Sequence, residues 1–305
     1  MPAVSFIKKK SFNISHRFSR WWGFVSLFLP LGLRPSNLYT LLGSDSCFTT
    51  DHLYLNLGLW NKNTKTLDQA SVNLAHRMAV LADLNNSHHL LDVGFGFAEQ
   101  DLYWHKTFNV KKITGINICE AQVDIARKKV NNAGLSNCID LAFGNALHLS
   151  FGDDSFDRIF AMECAMHFNP RERFLKEAFR VLKPGGKLIL MDICGLSTPL
   201  SISQRLIYKL ACMFWQLPTH NLYPLKDYET TLKNHGFIIN NIRSIKDQVY
   251  YPCFDYLHSF LKDSQQSKNK HPFFKWGARI GIAFAKRFQA SPFDYVEICV
   301  SKPKD

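Results

Sequence analysis

No two of the eight cysteines in this 305-residue chain form a C-x-x-C pair. Without that spacing the sequence offers neither a zinc site nor a disulfide framework, and several of the cysteines fall inside apolar strand-like runs. They read as free thiols in a reducing compartment, so a cytoplasmic setting and no metal site are expected. Acidic residues are absent from two segments. Residues 1–44 hold six bases and residues 267–290 another six, with no Asp or Glu in either. Those twelve bases equal the whole net charge of +12, so the rest of the chain is neutral. A membrane-spanning run is missing too: the uncharged stretch at 21–33 is 13 residues long and carries Pro30, against the ~20 needed to cross a bilayer. Both basic segments are rich in aromatic and aliphatic residues, "FSRWWGFVSLFLPLGL" at 18–33 and "PFFKWGARIGIAFAKRF" at 272–288. That combination suits the interface of an anionic membrane surface. Three readings compete for the first segment: a secretory signal, weakened because no small-x-small cleavage site follows Leu33; an organellar transit peptide, since it is acid-free with several Ser; and a solvated arm over the substrate site. No helix-turn-helix, finger or ribonucleoprotein motif occurs, so nucleic acid is not an expected partner.

From about residue 65 the sequence settles into an alternation. "TLDQASVNLAHRMAVLADL" (66–84) has helical apolar spacing, and "HLLDVG" (89–94) reads as a short buried strand. "QDLYWHKTF" (100–108) reads as a helix, "KKITGINI" (111–118) as a strand, and "EAQVDIARKKVNNAG" (120–134) as a helix stopped by Gly134. "CIDLAFGNA" (138–146) and "SFDRIFAMEC" (155–164) are strands. "NPRERFLKEAFRVL" (169–182) is a helix with Asn169 as cap and Pro170 in the first turn. "KPGG" (183–186) is a turn, and "KLILMDIC" (187–194) is a fifth strand. The apolar stretch 196–225 reads as a mostly helical insertion, 226–237 as a helix, and 238–249 and 294–302 as two last strands around the basic helix. The expected organisation is a basic arm at 1–50, followed by one α/β domain at 51–305 with the insertion at 196–225 and a basic amphipathic helix at 267–290. Short links between strands and helices imply an open, mostly parallel sheet with helices on both faces.

The loop "LLDVGFGFAEQD" (90–101) falls where such a sheet binds ligands, beyond the carboxyl end of its first strand. A dinucleotide loop, G-x-G-x-x-G, would need glycine at position 99; Glu99 stands there and would meet a diphosphate unfavourably. No G-K-[ST] follows, which removes a P-loop. Gly94 and Gly96 let the backbone approach a ligand, and Asp92 just before them attracts an ammonium group. A ligand with an amino-acid end and a nucleoside end satisfies both.

With "ITGINICEAQVDIARKKV" (113–130), "FGNALHLSFGDDSFDRIFAMECAMHF" (143–168) and "EAFRVLKPGGKLILMD" (177–192), the loop resembles the ordered motifs of class I S-adenosylmethionine-dependent methyltransferases. Ala98 stands where many members have another glycine. The resemblance covers residues 50–195 and is nearest to small-molecule members of the sugar and polyketide O-methyltransferase, tocopherol and phosphoethanolamine methyltransferase type. It implies a Rossmann-like sheet of seven strands with an antiparallel last strand and a helical lid after the fifth.

The same resemblance implies roles by position. Gly94 and Gly96 flank the methionine moiety and ribose, and Asp92 reaches the ammonium. Asn117 accepts the ribose hydroxyls, Ile118 packs on the adenine, and Gln122 adds a polar contact. The Asn145 side-chain carbonyl accepts the adenine amino group, with Ala146 beside the ring. Met162 and Glu163 lie near the sulfonium, and Tyr54 in "YLNLGLW" (54–60) helps cover the cofactor. For Gln122 and Glu163 a core or capping role is the stronger alternative. His167 in "AMHF" faces the acceptor as general base, and Asp192 faces the same cavity, orienting His167 or acting on the acceptor. Phe214, Trp215, Leu222 and Tyr223 suggest an apolar acceptor pocket. The expected activity is methyl transfer to a lipophilic small molecule, at oxygen ahead of nitrogen or carbon. The alternatives are a phospholipid-headgroup N-methyltransferase, a cyclopropane-forming relative, and a catalytically idle binding protein, the last opposed by the intact glycine loop.

Overall fold

The computed structural model describes residues 47–268, 270, 275–279, 281–283, 291 and 293–304. The expected arm up to residue 46 and much of the basic segment 267–290 lie outside them. The elements, in chain order, are α1 (Leu67–Leu81), β1 (His89–Val93), α2 (Glu99–Phe108), β2 (Lys112–Asn117), α3 (Glu120–Asn132), β3 (Ile139–Phe143) and β4 (Phe156–Met162). They continue with α4 (Arg171–Val181), β5 (Leu182–Cys194), α5 (Ile202–Trp215), α6 (Leu225–Asn234), β6 (Ile238–Ser244), α7 (Lys246–Lys262), α8 (Ser264–Ser267) and β7 (Asp294–Ser301).

The strands form one sheet in the order β3-β2-β1-β4-β5-β7-β6. β1 to β5 run parallel, and β7 pairs antiparallel with both β5 and β6. The chain moves outward from β1 through β2 to β3 and then returns to β4 on the other side. The order therefore reverses between β1 and β4, and a crevice opens beyond their carboxyl ends.

Consecutive residues of each central strand go to opposite faces, as a period of two demands. Leu90, Phe160, Ile189 and Met191 join one apolar layer, with Leu74 and Met78 of α1, Trp104 of α2 and Val123 of α3. Leu91, Ile159, Leu188 and Leu190 join the other, with Phe174, Leu175 and Ala178 of α4 and Leu232 of α6. Burial on both faces explains why these strands read as unbroken apolar runs.

Three sequence readings change. Residues 183–186 belong to β5 rather than a free turn, because Gly185 and Gly186 pair with the backbone at 302–303. Pro170, in extended geometry, caps α4 in place of Asn169. The strand expected at 238–249 ends at Ser244, and the seventeen-residue helix α7 begins at Lys246. Its buried residues Val249, Tyr250, Cys253, Leu257 and Phe260 recur at helical spacing, with Pro252 inside.

A buried carboxylate ties the antiparallel edge together. Glu297 on β7 accepts hydrogen bonds from Arg77 Nε (2.9 Å) and Nη2 (2.8 Å), Arg243 Nε (2.6 Å) and Asn241 Nδ2 (3.0 Å). Burial opposes its charge, but the two guanidinium groups prevail and hold it down at about 2. The folded value lies below the ordinary Glu value of 4.5, so the stabilisation is complete above that value and is lost as pH falls toward 2. Urea unfolding across that window is expected to show a shallower loss of stability for Glu297→Gln than for the wild type.

Candidate active site

A cavity of about 900 Å³ opens at the β1/β4 crevice. The loop after β1 forms its floor. Gly94 (φ 81°), Gly96 (φ 58°) and Ala98 (φ 59°) all take the left-handed conformation that turns strand into helix within a few residues. Ala98 shows why glycine is common there: a Cβ in this region costs about 1–2 kcal/mol. At Gly94 an added Cβ would also come within 2.8 Å of Cys164 Cβ and 2.9 Å of its Sγ. Gly94→Ala therefore combines backbone strain with overpacking of about 1–3 kcal/mol. Titration calorimetry of this variant with S-adenosylmethionine should show binding weakened by at least about tenfold, at about 1.4 kcal/mol per decade.

Gly94, Gly96, Asn117, Ile118, Gln122, Asn145, Ala146, Met162 and His167 all line this cavity. Asn117, at the end of β2, donates through Nδ2 to Gln122 Oε1 (2.8 Å), which joins two residues singled out from the sequence. Ile118 is 45% exposed beside them, an apolar platform open to a ring. Asn145 already accepts the Leu147 N–H through Oδ1 (2.9 Å); a second lone pair remains for a ligand. Asn56 Nδ2 reaches Met162 Sδ at 3.7 Å. Glu163 proves to be both wall and clamp: its Oε1 accepts from Leu57 N (2.9 Å) and Tyr295 Oη (2.7 Å), and burial pushes its carboxyl up to about 7.

Other expected residues lie elsewhere. Asp92 is fully buried behind the wall, and Gln100 stands between it and the cavity, donating through Nε2 to Asp92 Oδ2 and to the Phe95 carbonyl, each at 2.9 Å. Burial pushes the Asp92 carboxyl up, and burial with the Asp92 charge pushes the neighbouring Asp101 up as well. Tyr54 is turned away from the cavity; its neighbours Leu53, Leu55 and Asn56 face it. Trp215 and Leu222 pack into the core and Tyr223 packs over Arg171, so none of the three is in the wall. The Phe214 side chain is outside the described residues. Gln216, Leu217, Pro218, Thr219 and His220, which follow α5, form that wall instead.

Asp192 is corrected most. It does not reach the cavity: it is fully buried, accepts from Tyr228 Oη (2.8 Å) and pairs with Arg171 Nη2 (3.2 Å). Arg171 is itself fully buried, with Tyr228 against its guanidinium face at 4.4 Å. Its Nη2 donates to the Ile193 carbonyl and its Nε to the Ala165 carbonyl. Asn221 donates to the carbonyls of Met166 and Phe168 and accepts the Arg171 N–H. The short helical turn Ala165–His167 is thus held from below by Arg171, which is paired with Asp192. The His167 ring makes a hydrogen bond to the Gln216 backbone. Burial, with the Arg171 charge in the same direction, pushes it down to about 4, so it is neutral near pH 7.

Three carboxylates hold the strap that covers the cavity. Asp68 accepts the N–H groups of Thr50, Asp51 and His52, Glu99 that of Leu53, and Glu163 that of Leu57. Glu99, which argued against a diphosphate, also pairs with Lys129. Gln100, Asn56, Arg171 and the strap contacts were not singled out in the sequence, since each gains its role from partners distant in the chain. No group of three or more His, Cys, Asp or Glu among the described residues could hold a metal ion.

Residues 91–190 match a family model described as a methyltransferase domain. The erythromycin 3''-O-methyltransferase of Saccharopolyspora erythraea is 32% identical over 248 residues, covering 78% of this chain and 80% of that protein. The 27-O-demethylrifamycin SV methyltransferase of Amycolatopsis mediterranei is 33% identical over 145 residues, covering 48% of this chain and 53% of that protein. In fold, a cyclopropane synthase of Mycobacterium tuberculosis superposes with a TM-score of 0.74 at 16% identity, over 87% of this chain and 95% of the other. The chain belongs to the S-adenosylmethionine-dependent methyltransferases of the small-molecule type. It is an enzyme, and its cofactor is S-adenosylmethionine.

The residues present fit that cofactor. Asn56 Oδ1 and Gln122 Nε2 on the cavity wall have no hydrogen-bond partner among the described residues. Buried polar atoms are ordinarily paired, and a ligand carrying hydroxyl, amino and ammonium groups supplies what these lack.

Proposed function

We propose that the chain methylates a hydroxyl group on a lipophilic small molecule, with His167 taking the hydroxyl proton. The observation that carries this reading is the placing of His167 in the cavity of the glycine loop, half-buried and neutral. Apolar Leu53, Leu55, Phe168, Leu217 and Pro218 share the cavity wall with polar Asn169, Gln216, Thr219 and His220. Bound S-adenosylmethionine supplies an electrophilic methyl group. Gly94, Gly96, Asn117 and Ile118 hold the nucleoside and methionine parts, with Gln122, Asn145, Ala146 and Met162 completing the wall. Asp92 acts on the ammonium end through Gln100. The strap excludes water, and the Gln216 backbone orients the imidazole, so that proximity and a placed base supply the catalysis. The named activities of the two relatives, one an O-methyltransferase acting on erythromycin, support oxygen over nitrogen or carbon. A matched panel of apolar alcohols, phenols and amines tests this: methyl ethers should form, and turnover of amines alone would overturn it.

A second element is contact with an anionic membrane surface through residues 1–44 and 267–290. Its support is the confinement of the entire +12 net charge to those two aromatic-rich segments. The first lies outside the described residues; in the second, 275–279 and 281–283 are helical and Trp276 is 48% exposed. No helix among the described residues is long and apolar enough to cross a membrane.

A further inference from the structure

Helix α5 is apolar on both sides, which a helix packed on a water-soluble core has no need to be. Its inward side is accounted for: Cys212 is buried in the core, with Tyr208, Ala211 and Trp215 packed against it. The outward side carries Ile202, Leu206, Leu210 and Met213, exposed by 88%, 63%, 46% and 53%. At 3.6 residues per turn these four fall within an arc of about 80°, one continuous stripe along the fourteen-residue helix. Exposed apolar side chains scattered singly need no explanation, but a contiguous stripe marks a contact surface.

The charges on the helix say what that contact is. Arg205 and Lys209 are its only charged residues, both exposed, and both lie along one border of the stripe. No Asp or Glu occurs between Asp192 and Asp227. A second copy of this surface, or the basic residues 1–44 of the same chain, would set base against base. An anionic lipid surface meets both features: the stripe enters the acyl boundary while the two long side chains extend to the phosphates. The position gives the contact a use, because residues 216–220, directly after α5, form one wall of the methyl-transfer cavity.

We infer that α5 is a membrane-docking helix that sets the mouth of the cavity against an anionic lipid surface, where a lipophilic acceptor can pass in from the bilayer. This deepens the surface contact proposed above and names a different surface for it.

Co-sedimentation of the full chain with phosphatidylcholine vesicles, with and without phosphatidylserine, tests it. The wild type should bind the anionic vesicles. Leu206→Glu/Leu210→Glu should weaken binding by about tenfold or more, since two apolar anchors are lost. Arg205→Gln/Lys209→Gln should weaken it by about fivefold per base removed. These positions are exposed, so unchanged thermal unfolding midpoints should confirm that the fold is intact. Wild-type binding by Leu206→Glu/Leu210→Glu would overturn the inference. If Lys275→Gln/Arg279→Gln alone then lost binding, the surface contact would stand through the basic segment while the role of α5 fell. If the wild type bound no vesicles, both would fall. A dimer dissociated by Leu206→Glu/Leu210→Glu, with vesicle binding unchanged, would assign the stripe to a second copy and overturn the inference as well.

Discussion

His167→Ala is expected to lower kcat by about 10²- to 10⁴-fold, the usual range for removal of a placed general base. Affinity for S-adenosylmethionine should stay within a factor of about two to three, because the His167 ring is hydrogen-bonded to the Gln216 backbone after α5, away in the chain from the glycine loop, Asn117 and Gln122. Calorimetry with the cofactor and initial rates with an acceptor separate the two effects. The pH profile adds a check. Burial holds the imidazole at about 4 rather than its ordinary 6.5, so kcat/KM for the wild type should be flat from pH 8 to about 5 instead of falling near 6.5. Unchanged turnover in His167→Ala would remove His167 from the reaction, and a break near 6.5 would show that the ring is not held as described.

Arg171→Met is expected to destabilise the fold by about 3–5 kcal/mol, the range for stranding one member of a buried ion pair. Arg171 and Asp192 both have fully buried side chains, and the Asp192 charge would be left with two neutral donors, the Tyr228 hydroxyl and the Ile193 N–H. Urea unfolding measures the loss. The double variant Arg171→Met/Asp192→Asn should recover part of it, since no charge is then left unpaired, and the non-additivity reports the coupling. A loss below about 1 kcal/mol in the single variant would mean that the pair is not a structural charge pair. In protein that remains folded, kcat should fall with little change in cofactor affinity. The guanidinium bonds the carbonyls of Ala165, in the turn that carries His167, and of Ile193.

How far each of these residues could be foreseen depends on how local its signal is. β1, β4 and the glycine loop are local: an apolar run followed by Gly94 and Gly96 specifies a tight strand-to-helix turn at one end of a parallel strand. Gly94, Asn117, Asn145 and His167 follow, since each ends a strand or stands just beyond one, and all strands of a parallel sheet end on the same side. Asp92 has that position too, but strand alternation turns its side chain behind the wall, and only the structure shows Gln100 intervening. The partners of Asp192, Arg171 and Tyr228, come from α4 and α6, and no spacing rule links them to a strand end. The strap depends on Asp68, Glu99 and Glu163 from three separate elements. α7 had a local signal, buried residues at helical spacing from Val249 to Phe260, but "IINNIRSIKDQV" joins a strand to the first helical turn without glycine or proline between them. The bulk of Trp215, Leu222 and Tyr223 suggests a pocket, and bulk does not distinguish a pocket wall from the packing behind it.

The most direct test of the proposed chemistry is transfer of a labelled methyl group from S-adenosylmethionine to lipid and metabolite extracts, with the product identified by mass spectrometry and the labelled carbon located by NMR. The expected product is an apolar methyl ether that disappears with His167→Ala. Label on a headgroup nitrogen or in an acyl-chain cyclopropane, still formed by His167→Ala, would contradict it.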